Sequence, residues 1–153
     1  MKKLFPILLV LVFGAATVFT SCTKEPAEAD PLPTATIEGK VEVRNDLTVT
    51  DNDKAPSGTK IYFRINSEDL VLDPLADYAY QTLQYETTVK DGKYKIELPC
   101  ATHKNITVTI KPNEYQGELR ISNDKKQNHY FDASTLTMSI RNGENHFLDI
   151  LYQ

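Results

Sequence analysis

From Thr36 onward, apolar and polar positions alternate with a period of two, the pattern of strands that bury one face. Ile37, Gly39, Val41 and Val43 share one side, and Glu38, Lys40, Glu42 and Arg44 the other. Ile61, Phe63 and Ile65 repeat the pattern, as do Tyr94, Ile96 and Leu98 against Lys93, Lys95 and Glu97. Ile106, Val108 and Ile110 alternate with threonines, and Leu136, Met138 and Ile140 with Thr135, Thr137 and Ser139. Leu119 and Ile121 form a shorter run. Leu83, Tyr85, Thr87 and Val89 line one side of another segment. Phe147 to Tyr152 is apolar on both parities, and Asp149 on the Phe147/Leu151 side puts Leu148 and Ile150 inward.

Turn residues separate these runs. Asp91-Gly92 and Asn142-Gly143 each predict a two-residue hairpin turn, which needs positive φ at both central positions. Pro56-Ser57-Gly58 breaks the chain before the Ile61 strand. The pattern predicts an all-β domain over residues 36–153, an antiparallel sandwich of seven to eight strands. The Leu70 to Tyr80 stretch has room for one helical turn. Its large apolar residues are expected to fall in two groups. Leu72 and Leu75 fold back onto a sheet, while Tyr78 and Tyr80 stay partly exposed as the candidate binding residues.

The N-terminus breaks the alternation. Lys2 and Lys3 precede a run from Leu4 to Phe19 that is almost wholly apolar. This run is shorter than the roughly 20 residues that span a bilayer, and it has the layout of a signal peptide. It ends in Phe19-Thr20-Ser21-Cys22, which resembles the lipobox of Bacteroidota-type lipoproteins. The resemblance implies cleavage after residue 21, lipidation of Cys22 and anchoring in the outer membrane, on its periplasmic side or at the cell surface. The Lys24-Glu25 pair is similar to the charged export signal of surface lipoproteins. Residues 22–35, rich in Pro, Ala and Glu, read as the lipidated N-terminus and an extended tether. Without residues 1–21 the chain keeps 15 basic and 21 acidic residues, a net charge of −6. An acidic chain without a basic stripe argues against nucleic acid as a partner.

Three motifs in order carry a second resemblance: Ile37-Glu38-Gly39-Lys40-Val41, Ala55-Pro56-Ser57-Gly58-Thr59-Lys60-Ile61, and Asp91-Gly92-Lys93-Tyr94-Lys95-Ile96-Glu97-Leu98-Pro99 before Ile106 to Ile110. Over residues 36 to 112 the chain resembles the carboxypeptidase regulatory-like domain, a prealbumin-like (transthyretin-like) Greek-key sandwich. The resemblance implies an accessory role without catalytic residues. Residues 66–81 lengthen the second connection of that pattern, and Cys100-Ala101-Thr102-His103 replaces a glycine often found after the fourth strand.

Candidate chemistry is sparse. There is no nucleophile elbow, phosphate loop, dinucleotide fingerprint or H-E-x-x-H. His103, His129 and His146 are far apart and read as surface residues, so no metal or other cofactor is expected. Convergence of His129, Asp132 and His146 in one cleft is the arrangement that an enzyme would need. Asp51-Asn52-Asp53 opens like a calcium loop, but Ala55, Pro56 and Tyr62 stand where such a loop needs an oxygen ligand, a glycine and a glutamate. Loop-end binding through Asp46, Asp51 and Asp53 is the remaining route to calcium. Cys100 is left without a partner once Cys22 is lipidated, and reads as a small buried apolar residue. The expected function is a non-enzymatic, lipid-anchored binding or structural module. Its partner is the membrane through the lipid, with a protein or a glycan as further candidates. The rival functions are a glycan-binding accessory of a polysaccharide uptake system and an enzyme whose site the sequence does not show.

Overall fold

The computed structural model describes residues 32–153. The expected signal peptide, Cys22 and most of the expected tether lie outside the described residues. The described residues form an all-β sandwich. The strands are β1 (Thr34–Val43), β2 (Asp53–Lys54), β3 (Lys60–Asn66), β4 (Thr82–Thr88), β5 (Lys93–Pro99), β6 (Ile106–Pro112), β7 (Tyr115–Ser122), β8 (Lys125–Phe131), β9 (Leu136–Ile140), β10 (Asn145–Phe147) and β11 (Ile150–Tyr152). One sheet is built on β1, with β5 and β2 antiparallel to it and β10 and β11 parallel to it. The other is antiparallel, in the order β4-β3-β6-β9. β7 and β8 form a separate antiparallel pair.

The core lies between the two sheets and is drawn from the apolar parity of each strand. Ile37, Val41, Ile61, Phe63, Tyr94, Leu98, Ile106, Val108 and Ile110 are buried, and Ile96 is partly buried. Lys40, Lys93, Lys95 and Glu97 are open to water, with Glu38 half-buried beside Lys95 at 3.5 Å. Phe63 of β3 meets Tyr94 of β5 across the core, with ring centroids 6.1 Å apart. Ile150 and Tyr152 point inward, Leu148 is partly buried, and Phe147 and Leu151 face outward.

The structure has eleven strands among the described residues against the seven to eight expected. β2 is a two-residue ladder on β1, too short to show a period. β8 reads Lys-Lys-Gln-Asn-His-Tyr-Phe and has no apolar alternation, because it buries little more than Phe131. The final segment is split by a break at Leu148 and Asp149. There the Lys40 N–H donates to Asp149 Oδ1 at 2.7 Å in place of a backbone acceptor. β1 also begins at Thr34, inside the expected tether, because Thr34 and Ala35 pair with Pro99 and Leu98 and Ala35 is buried.

Both expected hairpin turns serve a different purpose. Asp91 and Gly92 have φ of 50° and 68°, and Lys90 and Lys93 exchange backbone hydrogen bonds of 2.8 and 3.0 Å. The local geometry is therefore that of the tight turn, yet β4 and β5 then diverge into opposite sheets. At Asn142-Gly143 only the glycine has positive φ, 77°, and the turn leads from β9 in one sheet to β10 in the other. Turn chemistry sets the reversal of the chain; which strands then pair is set by the packing of the sandwich.

Candidate functional site

The connection between β3 and β4 is the addition that the sequence pattern singled out. Asn66 ends β3, and its side-chain oxygen accepts the Glu68 N–H at 3.1 Å, capping a single 3-10 turn over Ser67–Leu70. This turn lies just before and at the start of the stretch where a helical turn was expected. The neck is closed by Ser67 N–H to Gln81 O at 2.8 Å and Gln81 N–H to Ser67 Oγ at 2.9 Å. Leu70 packs against the core, and Asp69 receives Lys104 at 3.0 Å from the β5–β6 connection. Further out, the Leu75 N–H donates to the Tyr80 hydroxyl at 2.8 Å and the Tyr78 N–H to Leu75 O at 3.2 Å. The Tyr78 and Tyr80 rings lie 4.8 Å apart and are tilted by 59°. These contacts tie the loop at its neck, its flank and near its tip.

The loop exposes large apolar side chains as well as carboxylates. Leu72 is 68% exposed, Leu75 70%, Tyr78 62% and Val71 38%. The expectation that Leu72 and Leu75 fold back is incorrect. The outer face of the adjoining sheet carries Tyr62 together with Lys60, Arg64, Gln84 and Glu86, the last four paired as Lys60–Glu86 at 3.0 Å and Arg64–Gln84 at 3.0 Å. A leucine laid on that face would take charged groups out of water without giving them partners. Tyr78 is exposed as expected. Tyr80 is only partly exposed, and its hydroxyl is committed to Leu75. Tyr80 therefore braces the loop from within, whereas Tyr78 offers a face. The sequence did hold a sign of the leucines' exposure. In Leu72-Asp73-Pro74-Leu75-Ala76-Asp77-Tyr78 the carboxylates interleave with the apolar residues at no regular period, so no single buried face exists.

A second concavity lies where the β7–β8 hairpin meets the loop after β1. Leu47 and Arg120 are joined through backbone N–H to O at 2.9 Å, and the Arg120 N–H donates to Asn45 O at 2.8 Å. The cleft between them encloses about 360 Å³, with Asp46, Asp53, Glu118, Arg120 and Lys126 among its walls. Its charges are mostly spent on each other: Arg120 lies 3.5 Å from Asp46, and Lys126 3.0 Å from Glu118. Hydrogen bonds from the Thr48 side chain and backbone, with Arg120 beside it, hold the Asp46 carboxyl below the usual carboxylate range. Tyr115 stacks on Phe131 at 5.4 Å and meets Tyr152 edge-on at 5.1 Å. Burial pushes the Tyr115 hydroxyl up to about 12. This aromatic cluster seats the hairpin on the sandwich.

The remaining candidates are dispersed. His103 is exposed, His129 packs edge-on against Phe131 at 4.9 Å, and His146 meets Glu144 at 3.0 Å. Asp46 is occupied by Thr48 and Arg120, while Asp53 sits in the β2 ladder and Asp51 is exposed. Among the described residues no three His, Cys, Asp or Glu side chains come together as metal ligands. Cys100 is buried and free, with its thiol 3.6 Å from Leu98 O, and burial pushes that thiol up. The arrangement best placed to meet another molecule is the apolar loop. No family model matches the chain, and no curated protein matches it.

Proposed function

We propose that the protein is a lipid-anchored, non-enzymatic binding module of the bacterial envelope that engages a protein partner through the β3–β4 loop. The observation that carries this reading is the exposure of Leu72, Leu75 and Tyr78 on a loop tied by hydrogen bonds at its neck and near its tip. Large apolar side chains left in water on one short segment are a feature of protein contact sites, where a few anchors supply most of the binding energy. Preorganisation lowers the ordering cost of association. A glycan is a poorer fit: the two tyrosine rings are tilted by 59° and form no shared platform for sugar rings. The anchor rests on Cys22 at the end of the apolar run, and the accessory role on the resemblance to the carboxypeptidase regulatory-like domain, which the sandwich architecture supports. Two acyl chains or more give stable membrane attachment.

Fractionation of cells expressing Cys22→Ala tests the anchor. The variant is expected in the soluble fraction, while the wild-type protein carries an acyl label in the membrane pellet. Equal membrane retention of the variant, with no label on wild type, rules the anchor out.

A further inference from the structure

The sign of the loop's charge narrows the partner. Residues 66–81 contain Glu68, Asp69, Asp73 and Asp77, and no Lys or Arg. Asp69 is neutralised within the molecule by Lys104 at 3.0 Å. Glu68, Asp73 and Asp77 are exposed and make no ion pair among the described residues. Asp73 and Asp77 alternate in sequence with Leu72, Leu75 and Tyr78 and are exposed like them, so a partner that closes over this stretch of chain meets carboxylates as well as apolar side chains. A carboxylate stripped of water without a counter-charge opposes binding.

Resting on the docking role proposed above, we propose that the occupant of this loop is a protein segment or surface that is apolar at its centre and lysine- or arginine-rich at its rim. Complementary charge steers such a partner in and sets its register, while the leucines and Tyr78 supply the anchors. The same charges work against the other occupants. Two copies meeting loop to loop across a two-fold axis bring the same carboxylates face to face, which is repulsive. An anionic lipid surface is repelled for the same reason.

The test is selection of random peptides on the full chain, with and without Leu72→Ser/Leu75→Ser. Both leucines are exposed, so the double variant is expected to keep the wild-type urea midpoint. Peptides that depend on the loop are expected to combine aliphatic or aromatic residues with Lys or Arg. The double variant is expected to weaken them at least about tenfold, the loss of about one buried apolar side chain. Raising salt to about 0.5 M is expected to weaken wild-type binding severalfold by screening. Asp73→Lys/Asp77→Lys is expected to shift the selected peptides toward acidic sequences. Loop-dependent peptides without basic residues overturn the charge assignment and leave the docking loop standing. Peptides that bind the double variant as well as wild type, or no selected peptide at all, count against both. Tighter binding of wild type to phosphatidylserine-containing vesicles than to neutral ones, lost in the double variant, identifies a membrane occupant and overturns the proposal. Loop-dependent self-association in sedimentation identifies a second copy and does the same.

Discussion

Gly39 sits opposite the step between β10 and β11, and its replacement by alanine tests how that step is held. A Cβ at Gly39 lies 2.0 Å from Leu148 O, 2.6 Å from Leu148 C and 3.1 Å from Asp149 Oδ1. The first two neighbours are backbone, so no rotamer change relieves the overlap, and β1 and the β10–β11 segment must separate. Three hydrogen bonds are anchored at this contact. They are Leu148 N–H to Glu38 O at 2.9 Å, Lys40 N–H to Asp149 Oδ1 at 2.7 Å, and Tyr94 O–H to Leu148 O at 2.9 Å. At about 1 kcal/mol net for each, their loss amounts to roughly 3 kcal/mol. The displaced segment also carries Ile150 and Tyr152, both buried, and overpacking of this kind adds about 1–3 kcal/mol. Against this, alanine restricts the unfolded chain and returns up to about 1 kcal/mol. The net expectation is a loss of at least about 3 kcal/mol. In urea, with m of about 1.5–2 kcal/mol/M, that moves the midpoint down by about 1.5–2 M. Gly143→Ala is the control: its Cβ meets nothing within 4 Å, so only the φ of 77° is strained, at about 1–2 kcal/mol. A midpoint for Gly39→Ala within about 0.3 M of wild type refutes the steric argument.

Two further predictions follow from the core. Burial raises the hydroxyl pKa of Tyr94, Tyr115 and Tyr152 in the folded state, to about 12 for Tyr115. Stability from these groups is complete below pH 10, where unfolded tyrosine begins to ionise, and is lost as pH rises through their folded values. Tyr94 and Tyr152, nearly inaccessible, together contribute a fall of at most about 2–3 kcal/mol per pH unit above that point. Circular dichroism is expected to show alkaline unfolding coincident with tyrosinate absorbance, and ordinary tyrosine titration without loss of structure contradicts the assigned burial. Cys100, buried and with its thiol shifted upward, is expected to resist a thiol reagent in the native state and to react at the rate of unfolding. Rapid stoichiometric labelling without denaturant places the thiol at the surface instead.

The sequence by itself determined the class of the fold and the inward side of its long strands, because a period of two marks a face wherever one side of a strand is buried. Ile37, Val41, Phe63, Leu98 and Val108 were legible in this way, as was the segment 66–81 as an addition between two strands. Pairing was not legible. β1 lies parallel to β10 and β11, more than a hundred residues away, and alternation carries no information about a strand's neighbour. Nor was the β8 strand, whose polar residues answer to the β7 ladder and not to a core. Gly39 looked like one member of a common motif; only the approach of the Leu148 backbone shows what it makes room for. The direction taken by Leu72 and Leu75 was decided in three dimensions as well. Their hydrophobicity favours burial, but much of the adjoining sheet's outer face is taken up by the Lys60–Glu86 and Arg64–Gln84 pairs, and the leucines remain in water. Hydrophobicity is a property of the residue, whereas burial requires a complementary surface, and that surface is assembled only by the tertiary fold.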